Sequence, residues 1–265
     1  MAISEKIELL GKGLYTDIPD VLTLSSIPTA SELDYVSSED FDKTMLEVIL
    51  PQAVAEKIDF KKLLEIDYYW ICRCLRILNY GPYYTTNVVI CDQCGKLSQG
   101  EYKVNLNTIA CKPLPEGFTN DIVISKDEFI DFDGDIHLSL PSIQQMLNAF
   151  KDKAFQTGSG EINKELARIC YMITSIKERK RLVPFETKSI IQNNLSAADY
   201  NILRSRVAEL TDYGLRAGGQ TQCPKCGNKE AAYIAMVDDR FFRPTLGDLK
   251  AWKHDRSAGA SQDNA

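Results

Sequence analysis

Along the first forty residues the apolar positions come in short runs, with no helical stripe. Val21-Leu22-Thr23-Leu24 reads as an extended piece between the turn residues Pro19 and Pro28. Ser38, followed by Glu39 and Asp40, predicts a helix start, because a capping hydroxyl and an acidic first turn suit the N-terminal dipole; that helix should end near Pro51. Leu64, Tyr68, Ile71, Leu75 and Leu78 recur at helical period and stop at Gly81-Pro82. Strand-like sequence follows: a hairpin over residues 86–107 and a second over 118–140, reversing at Asp131-Phe132-Asp133-Gly134-Asp135. Helical period returns with Leu166, Ile169, Ile173 and Ile176, and again with Tyr200, Leu203, Val207 and Leu210 behind a Ser196-x-x-Asp199 cap, ending at Gly214. A strand pair spans about 220–237, and the Ser-, Gly-, Ala- and Asn-rich end after Trp252 predicts a flexible tail.

One arrangement occurs twice. Asp67-Tyr68 opens a helix that ends at Asn79-Tyr80-Gly81, with a cysteine knuckle beyond it; Asp199-Tyr200 opens another that ends at Asp212-Tyr213-Gly214, again with a knuckle beyond. The knuckles are Cys91-Asp92-Gln93-Cys94-Gly95 and Cys223-Pro224-Lys225-Cys226-Gly227. Two residues between two thiols let both sulfurs turn toward one point, and the glycine accepts the positive φ of a tight turn. A helix followed by a zinc hairpin, used twice, would set the hairpins face to face across a pseudo-two-fold axis. Cys91, Cys94, Cys223 and Cys226 then form one tetrahedral thiolate shell around Zn2+. A shell with no open position is structural, since catalytic zinc keeps a place for water. The pattern therefore predicts an α+β fold of helical segments with β-hairpins, the two knuckle hairpins joined into one zinc-ribbon-like site. Residues 1–250 are expected as a single zinc-stapled domain with a helical insertion at about 141–214, and 251–265 as the tail.

The remaining cysteines do not fit a metal pattern. Cys72 and Cys74 lie two apart on a helix and point to different sides, Cys170 sits among isoleucines, and Cys111 stands alone. Buried packing is expected for all four. The 265 residues carry a net charge of −6, which disfavours a general affinity for phosphate backbones. The charged N-terminal residues give no signal-peptide pattern, and no apolar run has the roughly 20 residues of a membrane span, so a reducing cytoplasm is expected.

The Asp131–Asp135 run is not an EF-hand loop, because Ser142 stands where the closing glutamate is needed and Gly134 comes too early. The cluster Lys177-Glu178-Arg179-Lys180-Arg181 reads as a solvated helix end. No glycine-rich phosphate loop or Gly-x-Ser-x-Gly elbow occurs, and the two histidines, His137 and His254, have no nucleophile motif beside them. No enzyme activity is expected.

The residues Gly13-Leu14-Tyr15, Leu75 through Gly81, the two knuckles, Leu195-Ser196-Ala197-Ala198-Asp199-Tyr200, Tyr213-Gly214 and Phe241-Phe242-Arg243-Pro244 carry a further resemblance. In their order and spacing, over roughly residues 13–245, the chain resembles the baseplate protein family of T-even-like contractile-tailed bacteriophages, whose members include hub components and hub assembly factors. The resemblance implies a non-enzymatic role in building a tail baseplate, through contacts with other baseplate or tail-hub proteins. No nucleic acid, membrane or small-molecule substrate is then expected. The host cytoplasm during assembly is the expected location, with the virion baseplate as a candidate final one. Phe241, Phe242 and Arg243, and the 116–140 region, are the candidate contact surfaces, since aromatics beside arginine are enriched at interfaces; core packing of Phe241 and Phe242 is the competing reading. The alternative is a nucleic-acid-binding zinc ribbon, for which the knuckles offer only Lys96, Lys103, Lys225 and Lys229. A thiol-redox enzyme would want a thioredoxin-like βαβ setting, whereas both knuckles lie between strands.

Overall fold

A computed structural model of the chain describes residues 4–90, 97–180, 182–215, 218–222, 226–233, 241–242 and 244–259. Strands β1 (Ser4–Glu8) and β2 (Val21–Ser25) come first, then helix α1 (Thr29–Val36) and a helical run of α2 (Phe41–Thr44), a π turn (Met45–Ile49) and α3 (Leu50–Ala53). Helix α4 (Glu65–Tyr80) leads into β3 (Tyr83–Ile90), β4 (Leu97–Asn105), the short β5 (Cys111–Lys112), β6 (Ile122–Ile124) and β7 (Ile136–Leu138). Helices α5 (Ile143–Ala149) and α6 (Lys164–Met172) precede β8 (Ile173–Ile176) and β9 (Arg179–Lys180), followed by α7 (Pro184–Asn194) and α8 (Ala197–Thr211). After them come β10 (Gly214–Leu215), β11 (Gly218–Gln222), β12 (Lys229–Tyr233) and α9 (Leu246–Gly259). The class is α+β, helices with small antiparallel sheets. Among the described residues no helix is long and apolar enough to cross a membrane. The chain divides into two compact units: Met1–Phe60, Tyr69–Lys112 and Gly214–Ala265 form the first, and Lys61–Tyr68 with Pro113–Tyr213 the second.

In the first unit β1 and β2 pair antiparallel, with Ile7, Leu22 and Leu24 buried. The helical run after them departs from the predicted bounds at both ends. Asp40 is the cap, accepting from the Lys43 amide at 3.1 Å, while Ser38 Oγ accepts from the Asp40 amide at 3.1 Å and steadies the cap from outside. Pro51 does not stop the run. Its ring crowds the carbonyl four residues back, and the π turn just ahead widens the helix there, so the chain stays helical to Ala53. Tyr68, Ile71 and Leu75 of the α4 stripe are fully buried. Gly81 ends α4 at φ +78, and a Cβ there would lie 2.3 Å from Cγ of Trp252, so backbone and packing both require glycine. Trp252 belongs to α9, which occupies much of the stretch where composition predicts a flexible tail.

Beside that contact lies a buried arginine. Arg76 on α4 donates through Nη1 to the Gly81 carbonyl at 3.0 Å and through Nη2 to the Tyr83 carbonyl at 2.8 Å, with its guanidinium 5.1 Å from the Tyr80 ring centroid. It fixes the angle at which β3 leaves α4. Burial pulls its pKa down to about 10, with the charge of Asp248 acting the other way, so it stays charged at neutral pH. Asp248, itself buried, accepts from Thr85 Oγ1 at 2.6 Å and from the Thr245 amide at 2.9 Å.

In the second unit the order β6-β7-β8-β9 is antiparallel throughout. Ile124, Ile136 and Ile176 face the core in one cross-strand row. The helical stripe predicted from Leu166 to Ile176 breaks at Met172. Ile173-Thr174-Ser175-Ile176 is strand β8, where its β-branched residues pack on the pleat opposite β7. The β6–β7 pair confirms the predicted second hairpin, although its connection is long. It contains a capped turn, Ser125 with Glu128, and a loop held from afar by Asp199. The Asp199 carboxylate accepts from the Ile130 amide at 2.6 Å and from Ser196 Oγ at 2.9 Å, while Ser196 Oγ caps α8 through the Asp199 amide.

Burial works to raise the Asp199 pKa, but bonds from the Ile130, Asp131 and Phe132 amides and from Ser196 outweigh it and hold the carboxyl below its ordinary range. The folded state therefore binds this proton more weakly than the unfolded chain. Its stabilising contribution is full above the ordinary aspartate value of about 4 and is lost as pH falls through the depressed folded value. Asp199→Asn is expected to destabilise the protein at pH 7 and flatten this part of the acid-unfolding profile. Parent and variant with identical acid profiles in chemical denaturation would contradict it.

Candidate metal centre

The two knuckle hairpins belong to one sheet. Its order is β11-β12-β3-β4, with Ala232 of β12 opposite Val89 of β3 in antiparallel pairing. The outer strands β11 and β4 also approach, with Cα atoms within 8 Å, so the sheet curls toward closure. The first strand of each hairpin thus meets the second strand of the other, β3 against β12 and β11 against β4. A pseudo-two-fold axis would exchange these two contacts, and among the described residues β3–β12 alone of the two is a hydrogen-bonded pair.

Antiparallel pairing also fixes where the hairpin tips go. β3 runs toward Ile90 as β12 runs away from Lys229, so Ile90, Leu97, Gln222 and Lys229 all lie at one end of the curled sheet. The knuckle segments join those strand ends. Cys91, Cys94 and Cys223 lie outside the described residues; Cys226 is described, exposed, in the turn before β12. Among the described residues no three His, Cys, Asp or Glu side chains gather around a metal-sized point. The donor chemistry fits zinc: four thiols as two Cys-x-x-Cys pairs, attached to strand ends that the register brings to the same end of one sheet.

The other predicted site residues fall differently. Phe241 and Phe242 are 0% and 2% exposed. Phe241 meets Tyr84 with ring centroids at 5.5 Å, and Phe242 meets Tyr35 at 5.2 Å, edge-on. They are core residues of the first unit, where aromatic pairs add about 0.5–1.5 kcal/mol each beyond burial, and they present no contact surface. Arg243 lies outside the described residues. In the 116–140 region Ile130 stands 70% exposed and Val123 46%.

Cys72, Cys74 and Cys170 are buried and Cys111 is half-buried. Burial pushes the thiols of Cys74 and Cys170 up to about 12, leaving them protonated and unsuited to metal or nucleophilic chemistry at neutral pH. Arg76 and Asp248, which set the entry of β3 toward the candidate site, escaped the sequence reading. Their only sequence signal is an arginine beside the apolar stripe of α4. No family model, curated protein or solved structure matches this chain.

Proposed function

We propose that this chain is a non-enzymatic protein of a contractile-phage tail baseplate, a hub component or hub assembly factor. It works through contacts with other baseplate or tail-hub proteins in the host cytoplasm during assembly. In this reading Cys91, Cys94, Cys223 and Cys226 hold one structural Zn2+ that staples the curled sheet. The observation that carries the zinc part is the register of β12 on β3, which sends both knuckle connections to the same end of the sheet. The baseplate part rests on the sequence resemblance over residues 13–245. A closed thiolate shell supplies rigidity and no reaction, which suits a protein whose output is a binding surface. The test of the role is genetic. A phage carrying an amber codon in this gene is expected to accumulate normal heads and no completed baseplates under electron microscopy. Complete contractile tails in that mutant would overturn the baseplate reading, whatever the metal content.

A further inference from the structure

The face of the second unit's sheet opposite its isoleucine row carries a different set of side chains. Val123 lies across from His137, His137 from Ser175 and Ser175 from Lys180, one row over all four strands. Directly opposed residues sit with Cβ atoms about 4.5–5.5 Å apart, so their ends converge on the same space. With Asp121 and Pro184, His137, Ser175 and Lys180 line a cavity of about 730 Å³. That size falls within the roughly 300–1,000 Å³ of ligand clefts.

Most polar groups around this cavity are already engaged. Tyr171 donates to Asp152 Oδ2 at 3.1 Å, Thr174 Oγ1 to the His137 carbonyl at 3.3 Å, and Asn120 bonds the Leu140 backbone in both directions. Asp121 Oδ1 lies 3.0 Å from His137 Nδ1, which fixes the ring and matches the aspartate to it. Among the described residues the Ser175 hydroxyl and the Lys180 ammonium make no hydrogen bond or ion pair within the protein, and His137 Nε2 has no partner either. A hydroxyl and an unmatched cation together suit a carboxylate. Val123 is exposed in the same row, and Val183 and Phe185, 54% and 64% exposed, flank the cavity-lining Pro184 along the chain.

We propose that this cleft docks a carboxylate-bearing segment of a partner protein, an acidic side chain or chain end flanked by apolar residues. The carboxylate sits on Lys180 and Ser175, and its apolar neighbours cover Val183 and Phe185. The proposal rests on reading the chain as a protein-binding protein. It is independent of the baseplate role, which the amber mutant tests separately.

The test is an amide NMR titration of the full chain with a ten-residue peptide alternating leucine and glutamate, the same peptide with glutamine for glutamate, and sodium acetate. The glutamate peptide is expected to shift the amides around His137, Ser175 and Lys180 and to bind about tenfold more tightly than the glutamine peptide. Lys180→Glu, at an exposed site, should abolish that preference without changing the rest of the spectrum. Equal affinity for the two peptides, shifts confined elsewhere, or an unaltered preference in Lys180→Glu would each overturn the proposal. Acetate shifting the same amides as strongly as the peptide at equal concentration would mark a small-anion site and overturn it as well.

Discussion

Metal analysis of the purified protein is expected to return close to one zinc per chain, and Cys226→Ser and Cys91→Ser are expected to remove it with equal severity. The effect on folding is large, because a thiolate shell assembled only in the folded state turns metal affinity into folding free energy, on the order of 10 kcal/mol. A chelator is therefore expected to loosen the whole curled sheet. Circular dichroism melts with and without chelator read this directly. The sheet accounts for this expectation: among the described residues β12 meets β3 at one opposed pair, Ala232 with Val89, and β11 approaches β4 beside it. Cys74→Ala and Cys170→Ala serve as controls, expected to leave the metal content unchanged and to lose only about 1–2 kcal/mol of packing. Two zinc ions per chain, or a knuckle mutant that keeps its metal, would show that the pairs do not share a site.

Removing the Arg76 guanidinium should be the most damaging single change away from the cysteines. In Arg76→Leu the Gly81 and Tyr83 carbonyls lose their donors, and the buried Asp248 loses a positive charge that acts on it electrostatically. Leaving a buried carbonyl without its donor costs about 1–3 kcal/mol, and the loss of a nearby positive charge adds to it. Asp248→Asn in the same chain removes that charge, so the double variant is expected to recover part of the loss. A cycle of urea melts over the two singles and the double measures the coupling. Additive losses would mean that Arg76 acts only through the carbonyls of the α4–β3 corner.

Much of the local structure was legible because its causes are local. The α4 stripe, its stop at Gly81, the Ser196 cap and the strands on either side of both knuckles each depend on residues close in sequence. Where the reading failed, a distant partner had decided. Ile173–Ile176 continues a helical period, yet β7 offers a paired edge and β-branched side chains fill it better as strand. Pro51 reads as a stop, but a π turn absorbs it. Asp199 reads as a cap residue and also anchors the Ile130 loop, which no spacing could reveal. Phe241 and Phe242 look like interface aromatics, and the rings of Tyr35 and Tyr84 make them core.

By itself the sequence determined the class of the fold, the two Cys-x-x-Cys pairs and their placement between strands, since spacing and periodicity are properties of the chain. Only the tertiary structure decided that the two hairpins share one sheet, and that its register points both tips the same way. That register is set by backbone pairing between segments far apart in sequence. Hydrogen bonds of this kind carry no side-chain signature.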